Sequence, residues 1–140
     1  YRKEVKELNK THYILDLWGC TKDVQTNKDV GLTFLRTAAK EAGAGWLFHH
    51  VHHFGEGSGY TAVIGLKESH ISIHTWPEED FVAIDVFMCG ESKIEKSIEY
   101  ILKSFNPVRK EINSHWRGET KDELEIRRKN VKQGKTEAGV

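Results

Sequence analysis

The apolar and polar positions change period several times along the chain, and each change marks an element. Residues 12–18 alternate, with Tyr13, Leu15 and Leu17 on one face and Asp16 on the other, which predicts a strand. The polar residues 1–11 before it read as a frayed lead-in. Val30, Phe34, Leu35, Ala38, Ala39 and Ala42 fall on one helical stripe. Residues 27–42 are therefore predicted as a helix, with Asn27 as N-cap and Gly43 as its end. Residues 46–54 and 60–66 read as two further strands around the glycine-rich loop 55–59. Residues 67–78 and 81–90 then form a pair of strands broken by Pro77-Glu78-Glu79-Asp80. Residues 92–105 carry a second helical stripe of Ile94, Ile98, Ile101, Leu102 and Phe105, and Ser92 with Glu95 suggests a capping box. Residues 108–116 alternate as a last strand.

This order gives an α+β fold: a two-layer α/β sandwich, an antiparallel sheet with two helices on one face. The other sheet face still carries Trp, Phe and Val, so a cover is needed, and a second copy of the chain is the simplest one. The fold unit is residues 1–116. Residues 117–140 are a charged tail whose large apolar residues are Leu124, Ile126 and Val131, expected to be a marginal helix or disordered.

Composition narrows the function by exclusion. The chain has 140 residues and a formal charge of zero, so one domain is expected, with neither nucleic acid nor an anionic membrane as partner. No apolar run spans a bilayer and the Tyr1-Arg2-Lys3-Glu4 start is too polar for a secretory leader; with two cysteines, Cys20 and Cys89, this reads as a cytoplasmic protein with free thiols. There is no phosphate-binding glycine loop with a lysine and no Cys-x-x-Cys pair. His49, His50, His52 and His53 alternate in facing, so no three converge locally. They read as surface and pocket histidines, and no metal site is expected.

The paired strands hold the unusual chemistry: Ser, His and Cys set among apolar residues. If Trp76 faces Phe81, antiparallel pairing sets Ser69 opposite Met88, one position from Cys89. His74 lies five residues further along, roughly 16 Å on a straight strand, and faces the other way. Either the chain bends after Ser69, or the His74 that meets Ser69 comes from another copy. Taken alone, Ser69 reads as a strand-end hydroxyl, Cys89 as a small buried hydrophobe, and Asp16 as readily a solvated carboxylate as a site residue.

Glu68-Ser69-His70-x-Ser72-x-His74-Thr75-Trp76-Pro77-Glu78, followed by Asp85-Val86-Phe87-x-Cys89-Gly90, closely resembles the prokaryotic S-adenosylmethionine decarboxylase proenzymes, pyruvoyl enzymes of polyamine synthesis. The resemblance spans about residues 12–116. It implies self-cleavage between Glu68 and Ser69 that leaves a pyruvoyl group at residue 69. It implies His74 for proton removal during that cleavage and Cys89 for protonating the product. Phe54 and Glu78 match substrate-binding positions, a ring for adenine and sulfonium and a carboxylate for ribose hydroxyls. The chemistry is coherent: decarboxylation needs an electron sink, and a ketone that forms a Schiff base with the substrate amine provides one. A thiol beside it can return the proton. The resemblance also implies a homodimer with active sites at the protomer interface.

Three positions depart from the pattern. Thr61 stands where the family has a serine that assists cleavage. Asp16 replaces a glutamate. The loop 55–60 is one residue longer and carries Glu56. The substrate implied is S-adenosylmethionine. Arginine or ornithine is the alternative, with Glu56 or Asp16 pairing a distal cation. A non-catalytic regulatory homologue is a further alternative, against which the intact Ser69, His74 and Cys89 argue.

Overall fold

Six strands pair into one sheet in the order β2-β3-β4-β5-β1-β6, every neighbour antiparallel. The computed structural model describes residues 10–67, 69–90 and 92–132. Along the chain run β1 (Lys10–Trp18), α1 (Lys22–Thr26), α2 (Lys28–Glu41), β2 (Trp46–His53), β3 (Tyr60–Leu66), β4 (Ser69–Trp76), a 3-10 turn (Pro77–Glu79), β5 (Phe81–Cys89), α3 (Ile94–Phe105), β6 (Arg109–Trp116) and α4 (Lys121–Lys132). The expected α+β architecture is the one observed. The helical stripes of α2 and α3 bury Leu35, Ala38, Ile98 and Ile101 against one sheet face, where Leu15, Ile73 and Ile84 are fully buried. On the opposite face of β4 and β5, Ser72, His74, Trp76, Phe81, Asp85 and Phe87 stay half-buried, with no second layer over them among the described residues.

Local chemistry explains most boundaries. The Asn27 side chain accepts from the backbone N–H groups of Asp29 and Val30, starting α2 as expected, and Gly43 leaves the helix at φ +76°. Between β4 and β5 the reversal is closed by Asp80 in the left-handed region at φ 52°, its N–H bonded to the Pro77 carbonyl.

Several expectations need correction. β1 begins at Lys10, because Lys10 and Thr11 pair with Cys89 and Met88 rather than fraying. The Ser92–Glu95 capping box does not form: α3 starts at Ile94, with no side chain capping it. Its cap position falls on Lys93, whose N–H donates to the Ala42 carbonyl at the end of α2. A capping box does form in the tail, between Thr120 and Glu123, and it opens α4. That helix is further closed by a two-pronged Arg127–Glu119 pair at 2.7–2.9 Å.

The element the sequence did not announce is α1. Five residues are too few to be a stable helix by themselves. Its last carbonyls, which a free helix end leaves unpaired, are met by three strands. Tyr60 Oη donates to the Val24 carbonyl at 2.6 Å, Thr75 Oγ1 to Gln25 at 2.7 Å, and His53 Nε2 to Thr26 at 3.2 Å.

Tyr60 is fully buried under α2, with its hydroxyl against Gly31. A β-carbon at position 31 would overlap that hydroxyl. Gly31→Ala is therefore expected to lower the stability of the fold by about 1–3 kcal/mol, read as a shift of the urea midpoint. A midpoint equal to that of the native chain would mean that α2 has room to move off the sheet.

Candidate active site

The registers arrange the open sheet face in cross-strand rows. One row is His52–Thr61–His74–Ala83–Asp16–Glu111, and the next is His50–Val63–Ser72–Asp85–Ile14–Asn113. In the first row Thr61 Oγ1 lies 3.0 Å from His74 Nδ1. In the second, Asp85 takes His12 Nε2 at 3.0 Å and the Ser72 hydroxyl at 3.4 Å. A third row is aromatic: Trp76, Phe81 and Trp18 stand directly opposite one another, with Arg109 beyond.

Where β4 runs into the 3-10 turn, a cleft of about 700 Å³ opens, lined among others by Lys22, Thr26, Phe54, Thr75, Trp76 and Glu78. Its floor is α1. Gln25, fully buried, donates through Nε2 to the Cys20 carbonyl at 2.8 Å and to Asp80 Oδ1 at 2.6 Å. The turn that carries Glu78 is thus tied to the helix that carries Lys22. Thr75 Oγ1, which donates to Gln25, also accepts from the Tyr60 N–H at 3.0 Å. Gly59 is buried so close to the Thr75 carbonyl that a side chain there would overlap it. The cleft is therefore preformed.

Ser69 and Cys89 lie at the other end of the hairpin. The Trp76–Phe81 pairing is the expected one, and it continues in register to His70–Phe87. Ser69, paired with Leu66 on its other side, falls next in line opposite Met88. Both residues are half-buried. Glu68 lies outside the described residues. β4 keeps continuous register with β3 from Ser69 and with β5 from His70, so no bulge bends it. His74 is then about 16 Å from Ser69 and Trp76 about 23 Å, at the rise of an extended strand. By alternation Ser69 shares the helix-covered face with Ile71 and Ile73, and His74 lies on the open face.

Phe54 and Glu78 share the cleft. Asp16 does not reach it, standing in its row between Ala83 and Glu111. Glu56 is exposed in the neighbouring turn and does not line it either. Among the described residues no three His, Cys, Asp or Glu side chains gather as a metal site. His50 and His52 share the open face, and His49 and His53 the other. Lys22 and Thr26 were missed as cleft residues because α1 was missed. Trp76 was readable, since it shares the phase of His74.

The two cysteines differ in kind. Burial, and then the Asp80 carboxylate, push the Cys20 thiol up to about 12. Burial, and then Cys20, also raise the Tyr60 hydroxyl. Cys20 is thus a proton-holding core residue, and Cys89 is the candidate for chemistry. Because the folded state keeps these protons above the unfolded values, it binds more protons than the unfolded chain at alkaline pH. Stability is expected to be full below pH 9 and to fall as pH rises towards 12. Cys20→Ala should flatten that fall in urea titrations at pH 8 to 11, and an equal slope in both proteins would contradict it.

The profile of the S-adenosylmethionine decarboxylase family matches residues 11–118. The S-adenosylmethionine decarboxylase proenzyme of Persephonella marina is 46% identical over 99 residues, covering 70% of this chain and 74% of that protein. The proenzyme of Methanococcus maripaludis is 42% identical over 115 residues, covering 81% and 93%. The crystal structure of the adenosylmethionine decarboxylase of Aquifex aeolicus superposes with a TM-score of 0.74 at 32% identity, over 83% of this chain and 96% of that one.

Proposed function

The chain belongs to the S-adenosylmethionine decarboxylase family, and we propose on that premise that it cleaves itself between Glu68 and Ser69 and then decarboxylates S-adenosylmethionine in polyamine synthesis. The observation that supports this reading is the unbroken β4–β5 register, which runs from Trp76–Phe81 to His70–Phe87, next to Ser69 on one strand and two positions short of Cys89 on the other. Residues 1–116 form the catalytic unit, and 117–140 are an appended tail, the family match ending at residue 118.

In the cleavage step the Ser69 hydroxyl oxygen bonds to the Glu68 carbonyl carbon while the peptide C–N bond breaks. This gives an ester and a free amine on residue 69. Removal of the residue 69 α-proton expels Glu68 as a carboxylate, and hydrolysis of the remaining enamine releases ammonia. His74 takes that proton. With Nδ1 held at Thr61 Oγ1, its other ring nitrogen is the one able to do so. A half-buried Ser69 heading its strand beside the Cys89 end of β5 fits a pyruvoyl group made at that position. That group, once formed, supplies the electron sink for the carbon left by departing carbon dioxide. Cys89 then delivers a proton to that carbon. Phe54 offers a ring face to adenine and sulfonium, and Glu78 accepts from the ribose hydroxyls, both in the lining of one cleft.

Ser69 and Cys89 belong to one end of the hairpin, and Thr61, His74, Phe54 and Glu78 to the other. A two-fold dimer packed through the open face would bring unlike ends of two chains together, giving two identical sites. The alternative of arginine or ornithine relies on Asp16 or Glu56 as the acid that could pair a distal cation. Neither lines the cleft, and the relatives carry the S-adenosylmethionine name. No helix among the described residues is long and apolar enough to cross a membrane.

Denaturing mass spectrometry should find two fragments, residues 1–68 and 69–140, the second lacking a free amino terminus. Ser69→Ala should give one folded, full-length chain without decarboxylase activity. An active protein that remains uncleaved would rule out the pyruvoyl mechanism. Site sharing is read by mixing Ser69→Ala chains with His74→Ala chains under exchange. Each mixed dimer should regain one native site, and activity should return. Inactive mixtures with demonstrated exchange would confine the site to one chain.

A further inference from the structure

The open face carries one arrangement that neither the core nor the chemistry above requires. His74 stacks on Trp76, with ring centroids 5.8 Å apart and planes 25° apart. Trp76 stacks on Phe81 at 5.5 Å and 19°, and Phe81 lies tilted against Trp18 at 5.2 Å and 33°. The Arg109 guanidinium lies 3.8 Å over the Trp18 ring. Each of Trp76, Phe81, Trp18 and Arg109 is the direct cross-strand partner of the next. The result is a stacked column crossing β4, β5, β1 and β6 and ending against the imidazole of His74.

We infer that Trp76 is a positioning residue for His74, and that Phe81, Trp18 and Arg109 act through it by holding its ring in place. The inference rests on the proposed role of His74 in chain cleavage. A single hydrogen bond between Nδ1 and Thr61 Oγ1 fixes one atom of the imidazole, but it leaves the ring plane free to tilt, because the terminal torsion of histidine is broad. A flat neighbour confines the plane. Together the two contacts fix which nitrogen is turned towards the proton to be removed. Trp76 is poorly placed to do this alone, since it is the last residue of β4, beside a turn and a cleft. Stacking on its cross-strand partner supplies the missing restraint, and the same argument repeats for Phe81 at the first position of β5. The column ends on an exposed edge strand, where the guanidinium covers the outer ring. Each member is thus held from the far side by the next one.

The test uses members that do not line the cleft. In full-length chains made by cell-free translation, Trp18→Leu should slow the first-order appearance of the two fragments by about tenfold, as expected when a catalytic group is misplaced. Trp18→Phe, which restores a ring, should return the rate to near that of the native chain. In matured enzyme the KM for S-adenosylmethionine should be unchanged, because Trp18 is two rings from the cleft. The second readout does not depend on cleavage at all. In Ser69→Ala chains, the ring-nitrogen NMR signals of His74, assigned by comparison with His74→Gln, should form one sharp set. Trp18→Leu should broaden or split that set. If Trp18→Leu does not fold, Arg109→Leu at the exposed edge takes its place, with a smaller change in the same direction.

Fragments appearing at the native rate, with His74 signals unchanged, would overturn the inference. So would a slow Trp18→Phe, or a slowed cleavage that follows loss of the dimer while the His74 signals stay as they were. If the native chain never cleaves but the His74 signals respond to Trp18→Leu, the pyruvoyl reading fails and the positioning of His74 stands.

Discussion

The carbonyl groups at the end of a one-turn helix govern much of this molecule. α1 is five residues long and has no capping side chain at its start. Three of its carbonyls accept from Tyr60, Thr75 and His53, one residue each from β3, β4 and β2. A buried carbonyl left without a donor costs about 1–3 kcal/mol, so these bonds decide whether α1 exists as a helix on the sheet. Thr75 is pivotal because its hydroxyl both donates to Gln25 and accepts from the Tyr60 N–H. An isosteric valine there would orphan two buried backbone groups at once. Gln25 carries the restraint onward, through Asp80, to the turn bearing Glu78. Floor and wall of the cleft are therefore one hydrogen-bonded unit.

The two sheet faces answer different demands. The helix face is aliphatic and closed. The open face combines polar pairs, Thr61 with His74 and His12 with Asp85, with an aromatic column capped by Arg109. Aromatic pairs of this kind add about 0.5–1.5 kcal/mol each beyond the area they bury. That is enough to order side chains on a face that no helix covers among the described residues. A closed aliphatic layer would hold the strands as well but could present no ring and no proton acceptor. The open face thus gives up some burial within the chain and gains functional groups held rigidly in rows.

Alternation makes most of this legible in the sequence. Period two separated Asp16 from Leu15 and Leu17, and a single assumed pair, Trp76 with Phe81, gave the whole β4–β5 register. What was not legible depended on contacts distant in sequence. α1 has no period of its own and forms because residues 27 to 50 positions later satisfy it. The Ser92–Glu95 pattern fits a capping box, yet a backbone bond from Lys93 to Ala42 moved the helix start by two residues. Asp16 and Glu56 looked alike as spare acids near conserved-looking motifs. The strand register separates Asp16 from the cleft that Glu78 occupies, and an exposed turn position separates Glu56. The tail is the opposite case, since its helix is set by local pairs, Thr120 with Glu123 and Glu119 with Arg127. Both pairs are local, three and eight residues apart.

The geometry of β4 leads to one further step. A strand without a bulge cannot bring its first and sixth residues to one point, and it turns them to opposite faces. Ser69 and His74 are such a pair, and both flanking ladders hold β4 straight between them. No side-chain rotation spans about 16 Å. Chemistry that needs both residues therefore needs two strands, and the fold has one β4. The dimer proposed above would supply the other from a second copy of the chain. In that proposal, catalytic sharing between chains follows from the straightness of a single strand.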